Sequence, residues 1–203
     1  MLESFRVTLR TLADVRDQGF TYIWANVAFV VFSLPIITLP AAFAALMYTI
    51  HQAQTNPTDV TFSTFFDFFK AHFWCALGWG CVYSLFFGVN TANLMTYASS
   101  TSLLANLRVI WLSAGLAGML MLLLTWGVCF HMETPNLLGA SHNTLVMLLH
   151  HPGFMLGLLS AVVAVMVMSM LLKPLFLVLT FSTLAALANN AVRNCLEARF
   201  VNG

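Results

Sequence analysis

The chain has 203 residues, of which 60% are hydrophobic and 7% are charged, with a net charge of +1 at pH 7. Globular proteins carry about 25% charged residues, so this composition excludes a soluble fold, whose surface would have too few polar groups for water. The near-neutral charge gives no indication of a nucleic-acid partner.

The eight basic and seven acidic residues lie between long apolar runs. No charged residue occurs between Asp17 and Asp59 or between Lys70 and Arg108, and three further uncharged runs follow. A membrane-crossing helix needs about 20 residues, so the length suits five or six membrane segments. We therefore predict one all-α transmembrane domain over residues 1–203, an integral membrane helical bundle with additional interfacial helices.

Residues 1–18 have the pattern of an amphipathic helix. The apolar positions that share one face are Leu2, Phe5, Leu9 and Leu12. The opposite face carries charged residues. Such a helix lies flat at the boundary between headgroups and acyl chains. Gly19 then allows the chain to turn into the first membrane segment, residues 20–34.

Pro35 and Pro40 interrupt the chain after this segment. Proline lacks a backbone N–H and obstructs the preceding turn, so the helix is expected to end or kink there. The backbone groups released at the break need partners, so we expect protein or a water pocket around residues 35–40 rather than lipid. Residues 41–54 follow. Because ~14 residues cover only about 21 Å, this segment is either a short tilted crossing or a re-entrant half-helix.

A second amphipathic stretch, residues 59–73, is rich in phenylalanine. The residues that share its apolar face are Phe62, Phe65, Phe66, Phe69 and Phe73. The preceding Asn56-Pro57-Thr58-Asp59 supplies a stop and a helix cap. We predict an elbow helix that lies in the interface and leads directly into the next membrane segment, residues 74–97.

The second half of the chain predicts three more membrane segments, at residues 109–130, 153–172 and 175–192. Another interfacial elbow helix is predicted at residues 141–151, before Pro152. The last two segments are separated only by Leu172-Lys173-Pro174, which predicts a tight hairpin at Pro174.

The distribution of Lys and Arg indicates the orientation, since these residues are enriched in cytoplasmic loops. With the N-terminus inside and residues 41–54 crossing, six basic residues lie inside and two outside. Without that crossing the split becomes five to three. We therefore favour six segments, with both termini in the cytoplasm.

The histidines are the first candidates for chemistry, and in this topology all lie near cytoplasmic ends of segments: His51, His72, His131, His142, His150 and His151. With Glu133 they could form a metal site, since neutral imidazole suits zinc and similar ions. However, they are scattered over three loops, and an interfacial role for an amphipathic side chain explains them equally. We expect no catalytic residues, no metal and no cofactor.

Several uncharged polar residues lie within the apolar runs: Asn26, Thr38, Asn90, Asn93, Thr125, Thr180, Asn189 and Asn190. Hydrogen bonding between helices is the ordinary role of such residues. The alternative is a polar lining for an uncharged ligand such as a sugar or a lipid headgroup. No acidic residue lies in the middle of a segment, so a proton- or cation-coupled pump has no evident carrier.

Two blocks of the sequence resemble the signature of the bacterial YesL family. The first has Asn26 in the first segment, followed by Leu34-Pro35-Ile36-Ile37-Thr38-Leu39-Pro40 and an alanine-rich helix. The second is the phenylalanine-rich elbow with Lys70. A later match includes Lys173-Pro174. The candidate functional motif is therefore Asn26, Pro35, Thr38, Pro40, Phe65, Phe66, Phe69, Lys70 and Pro174.

The resemblance implies a multi-pass protein of the bacterial cytoplasmic membrane without an established activity, in a family associated with carbohydrate uptake through ABC transporters. We therefore expect a non-catalytic accessory or regulatory protein that contacts the bilayer and an ABC permease or a membrane sensor subunit. Two alternatives stay open. One is a homodimeric transporter of a small solute or a lipid, and the other is a metal-dependent membrane enzyme that uses the cytoplasmic histidines.

Overall fold

The computed structural model describes residues 2–98, 106–172 and 176–201, and this part of the chain is helical without β-strands. Its eight α-helices are α1 (Leu2–Asp17), α2 (Gly19–Ser33), α3 (Leu39–Thr55), α4 (Phe62–Ala98), α5 (Leu107–Phe130), α6 (Leu137–His150), α7 (Pro152–Leu171) and α8 (Phe181–Val201). Short 3-10 turns occupy Ile36–Thr38 and Pro57–Asp59, and a π-helical turn occupies Phe176–Thr180. The all-α prediction is confirmed.

By length and composition, four helical stretches in the described residues can cross a membrane: Ile36–Thr55, Phe62–Tyr97, Leu107–Phe130 and Pro152–Leu171. The sequence predicts five or six segments. The apolar α2 has 15 residues, which correspond to about 22 Å, less than the hydrocarbon thickness of about 30 Å. The asparagine-containing α8 is not among the four.

The predicted break at the two prolines is present. Helix α2 ends at Ser33, and α3 begins at Leu39 with Pro40 in its first turn. Proline is tolerated there because the first-turn N–H groups have no partner within the helix. Together with the 3-10 turn, α3 forms a stretch of 20 residues, Ile36–Thr55, which is longer than the 41–54 segment that suggested a re-entrant half-helix.

The structure does not separate the predicted elbow helix 59–73 from the predicted segment 74–97. Both lie in α4, a single helix of 37 residues that begins at Phe62. No proline occurs within α4 and no glycine precedes Gly78, so nothing interrupts the backbone hydrogen bonds at residue 73. At 1.5 Å per residue α4 is about 55 Å long.

Alanine-rich α3 and α8 form the centre of the bundle. Helix α3 packs against α2, α4, α5 and α8, while α8 also contacts α1 and α7. The buried alanines on these helices are Ala41, Ala42, Ala44, Ala45 and Ala53 on α3 and Ala185, Ala186, Ala188 and Ala191 on α8. Small side chains let helix backbones approach closely, which is the usual basis of helix association in membranes.

Helix α1 has three faces rather than the two that the sequence pattern suggests. Phe5, Leu9 and Leu12 are more than half exposed and point away from the bundle. Val7 and Thr11 are buried instead, and the helix packs against α7 and α8. The apolar face predicted for lipid is therefore available to lipid, while a third face of small and polar residues holds α1 on the bundle.

Candidate functional site

Asn26 joins α2 to the beginning of α8. Its side chain is fully buried, and its Oδ1 accepts hydrogen bonds from the backbone N–H groups of Phe181 (2.8 Å) and Ser182 (3.0 Å). These N–H groups lie where the π-helical turn Phe176–Thr180 meets α8. Asn26 therefore supplies an acceptor to the start of α8 from a position 155 residues earlier in the chain.

Thr38 closes the proline break locally. Its hydroxyl donates to the carbonyl oxygens of Phe32 and, at 2.6 Å, of Pro35. We expected protein or a water pocket around residues 35–40, but Ile36 and Ile37 are 84% and 64% exposed. The break therefore lies at an exposed end of the bundle, and a side-chain hydroxyl rather than burial satisfies the released carbonyls.

The phenylalanines of the candidate motif surround Phe32 of α2. The ring centroids of Phe65, Phe66 and Phe69 lie 5.7, 5.8 and 5.2 Å from that of Phe32. The Lys70 ammonium lies 4.0 Å from the centroid of the Phe66 ring, a cation–π distance. These aromatic pairs fasten α2 to α4.

Pro40 fixes the approach of α3 to α4. It packs against Gly80, where a Cβ atom would overlap the proline ring. The motif residues thus act as joints between helices and do not converge on one reactive centre. Pro174 lies outside the described residues.

Other polar residues of the interior also serve as ties between helices. Asn190 Nδ2 donates to Asp14 Oδ2 (2.7 Å) and to Thr11 Oγ1 (3.2 Å), which links α8 to α1. Gln54 Nε2 on α3 donates to the same Asp14 oxygen at 3.1 Å. The Asp14 carboxylate therefore accepts from two helices while it lies on a third.

Four further candidates for a polar lining also use their side chains in hydrogen bonds, two of them between helices and two within one helix. Asn189 Nδ2 donates to Met47 O (3.3 Å), and Asn90 Nδ2 donates to Trp111 O (2.8 Å). Asn93 and Thr125 donate to carbonyls of their own helices. These bonds use groups that a solute pathway would otherwise offer to its ligand.

Two of the six histidines, His51 and His72, line an aromatic cleft of ≈670 Å³ between α3, α4, α5 and the start of α6. His131 and His151 line a separate, smaller cleft of ≈190 Å³ between α5, α6 and α8. The walls of the larger cleft also include Trp126, and its described lining contains no Asp, Glu, Lys or Arg. The rings of His51 and His131 lie 4.9 Å apart. Within residues 2–98, 106–172 and 176–201, no three His, Cys, Asp or Glu side chains are grouped as a metal site. The metal-enzyme alternative therefore has no ligand set there.

A second large cleft, of ≈640 Å³, lies beside the proline break. The sequence predicts protein or a water pocket around residues 35–40, but it does not predict the apolar lining or the other helices of this cleft. Six helices contribute to it, and apolar side chains dominate its lining. Its lining residues are dispersed along the chain from Phe29 to Leu184, so no local sequence pattern predicts the cleft. Such a surface suits an apolar chain and offers few groups to a polar solute.

The bundle has the features of a multi-pass membrane protein, namely four helices of crossing length and an interior joined by hydrogen bonds between helices. Residues 22–94, from α2 to near the end of α4, match a family described as "Protein of unknown function, DUF624". No curated protein matches the chain, and no solved structure does. The matched region contains Asn26, the proline break and the phenylalanine cluster.

Proposed function

We propose that the chain is a non-catalytic multi-pass protein of the bacterial cell membrane, an accessory or regulatory component of carbohydrate uptake by an ABC-type transporter. The observation that supports a non-catalytic role is that interior polar side chains such as Asn26, Asn189 and Asn190 are used in ties between helices. The link to carbohydrate uptake rests on the resemblance to the YesL family.

In this proposal six segments cross the membrane, and both termini lie in the cytoplasm. Four of the six are the long stretches described above, and the other two are α2, which is shorter, and the α8 region, which is more polar. The proline break then faces the outside. The charged face of α1 and the Lys70 end of α4 face the cytoplasm, in agreement with the positive-inside rule.

The helix α4 is the surface best suited to a partner subunit. Within the most apolar 18 residues of each stretch, 6% are buried in Phe62–Tyr97 compared with 50% in Ile36–Thr55. Trp74 and Leu85 on α4 are 79% and 71% exposed. Gly78 and Gly88 are also exposed, and a Cβ atom added at either position would have no neighbour within 4 Å. Small residues allow a partner helix to approach closely.

Isolation of the tagged protein from its native membranes in mild detergent tests this function. We expect an ABC permease or a membrane sensor subunit to be recovered with it in stoichiometric amount. Leu85→Trp, which adds bulk to the exposed face of α4, should reduce this recovery at least about fivefold, because overpacking a close contact costs about 1–3 kcal/mol and about 1.4 kcal/mol is tenfold in affinity. Val163→Trp is the control, because Val163 is also exposed (51%) but lies on α7. Recovery of the chain alone would contradict the proposal.

A homodimeric transporter is the second candidate, and the apolar cleft beside the proline break favours a lipid over a small polar solute as its cargo. Broken segments often line transport sites, and Pro40 lies in the wall of the cleft. Purified protein in sealed vesicles that accelerates the movement of a fluorescent lipid between leaflets would support this candidate. Vesicles with and without the protein that give equal rates would exclude it.

A further inference from the structure

We propose that the cleft beside the proline break binds one acyl chain of a membrane lipid as a resident ligand. The cleft lies between helices that meet around Phe29, Pro40, Tyr83, Met119, Val162 and Leu184. It is distinct from the exposed face of α4 that we assign to a partner. The inference holds whether the protein is an accessory subunit or a transporter.

The size of the cleft fits a hydrocarbon chain. An apolar cavity of about 150 Å³ stays free of water and accepts a benzene ring of six carbons. The cleft measures ≈640 Å³, about four times that volume, and so has room for on the order of 20 carbons on the same scale. Left empty, its apolar walls would lose the packing contacts that protein interiors normally make.

The position of the cleft identifies the source of the chain. Val162 lies at the middle of α7, whereas Ser33 and Leu39 lie at the proline break, so the cleft runs from mid-bundle toward that end. Leu34 and Ile36 at this end are 76% and 84% exposed, as expected for apolar residues at the boundary between acyl tails and headgroups. The opening therefore faces the acyl tails of the leaflet at the proline break.

The lining also determines which part of the lipid enters. The described wall contains no Asp, Glu, Lys or Arg, and its polar residues are hydroxyl side chains such as Ser33, Ser84 and Tyr83. A charged headgroup would lose its hydration there without a counter-charge. The headgroup consequently stays at the end of the bundle, and selectivity depends on the chain rather than on the headgroup.

Native mass spectrometry of protein that has been extensively delipidated in detergent and then supplied with dioleoylphosphatidylglycerol tests the site. We expect the wild type to retain one lipid. Met119→Trp should lower the affinity about tenfold, because loss of about two buried methylenes costs that much. Leu116→Trp is the matched control on α5, since Leu116 and Met119 are 40% and 37% exposed but only Met119 lines the cleft.

A second variant and a second lipid complete the experiment. Met119→Phe fills less of the cleft and should give an intermediate loss, which serves if the tryptophan variant does not fold. Dioleoylphosphatidylcholine should bind within about twofold of dioleoylphosphatidylglycerol, since the described lining of the cleft carries no Asp, Glu, Lys or Arg. A wild type that retains no lipid, equal occupancy in Met119→Trp and Leu116→Trp, or a strict headgroup preference would overturn the proposal.

Discussion

Asn26→Leu will lower the free energy of unfolding by about 1–3 kcal/mol, because it removes a fully buried side-chain acceptor of two backbone N–H groups, and loss of one partner of a buried hydrogen bond costs roughly that much. Both N–H groups belong to the start of α8, at Phe181 and Ser182. Leucine has the same branching and the same number of side-chain heavy atoms as asparagine and is not smaller, so the loss does not arise from a cavity. Unfolding in detergent micelles, followed by tryptophan fluorescence, measures the effect.

Asn93→Leu is the control for this prediction. The Asn93 side chain donates only to Val89 O in its own helix and does not hold another helix. Its replacement should therefore change the free energy of unfolding by less than about 0.5 kcal/mol, as is usual for substitutions away from such features. If both variants lose the same amount of stability, the hydrogen bonds between Asn26 and the start of α8 do not stabilise the fold more than a bond within one helix does.

Gly80→Ala will destabilise the protein although alanine normally favours a helix. A Cβ at Gly80 would lie 2.6 Å from Cβ of Pro40 and closer still to Cγ. The proline ring is rigid, so α3 and α4 must separate, and such overpacking costs about 1–3 kcal/mol. The midpoint of thermal unfolding in detergent should fall accordingly.

Gly78→Ala, two residues away on the same helix, should have the opposite effect. No atom lies within 4 Å of a Cβ built there, and replacement of glycine by alanine in a helix stabilises by roughly 0.5–1 kcal/mol. Opposite changes in stability for Gly80→Ala and Gly78→Ala distinguish the effect of close contact between helices from the effect of helix propensity. Stabilisation by both substitutions would show that α3 and α4 do not meet at Pro40.

The sequence contains the information for the helices and for the proline break. Long uncharged runs require helical segments, because a backbone in hydrocarbon must satisfy its own hydrogen bonds. Pro35 and Pro40 end and begin helices for steric reasons that act over one turn. The continuity of α4 was harder to foresee, because amphipathic residues 62–73 and the apolar residues beyond them have different patterns but the same helical backbone.

The partners of the candidate residues could not be predicted in the same way. Asn26 is visible in the sequence as a polar residue in an apolar run, but its acceptor role depends on Phe181 and Ser182, which are brought near only by the fold. Likewise Asp14 appears as one charge on the water-facing side of α1, whereas it binds Asn190 and Gln54 in the structure. The periodicity of a sequence indicates which face of a helix a residue lies on, but not which helix packs against that face.

The central claim is that Ile36–Thr55 crosses the membrane, with the proline break outside and the end of α3 in the cytoplasm. Single cysteines introduced as Ile37→Cys and Asn56→Cys, in a variant whose four natural cysteines are replaced by alanine, test it with a membrane-impermeant maleimide. We expect labelling of Ile37→Cys in intact spheroplasts and of Asn56→Cys only after lysis. Labelling of both positions from the same side would contradict the account.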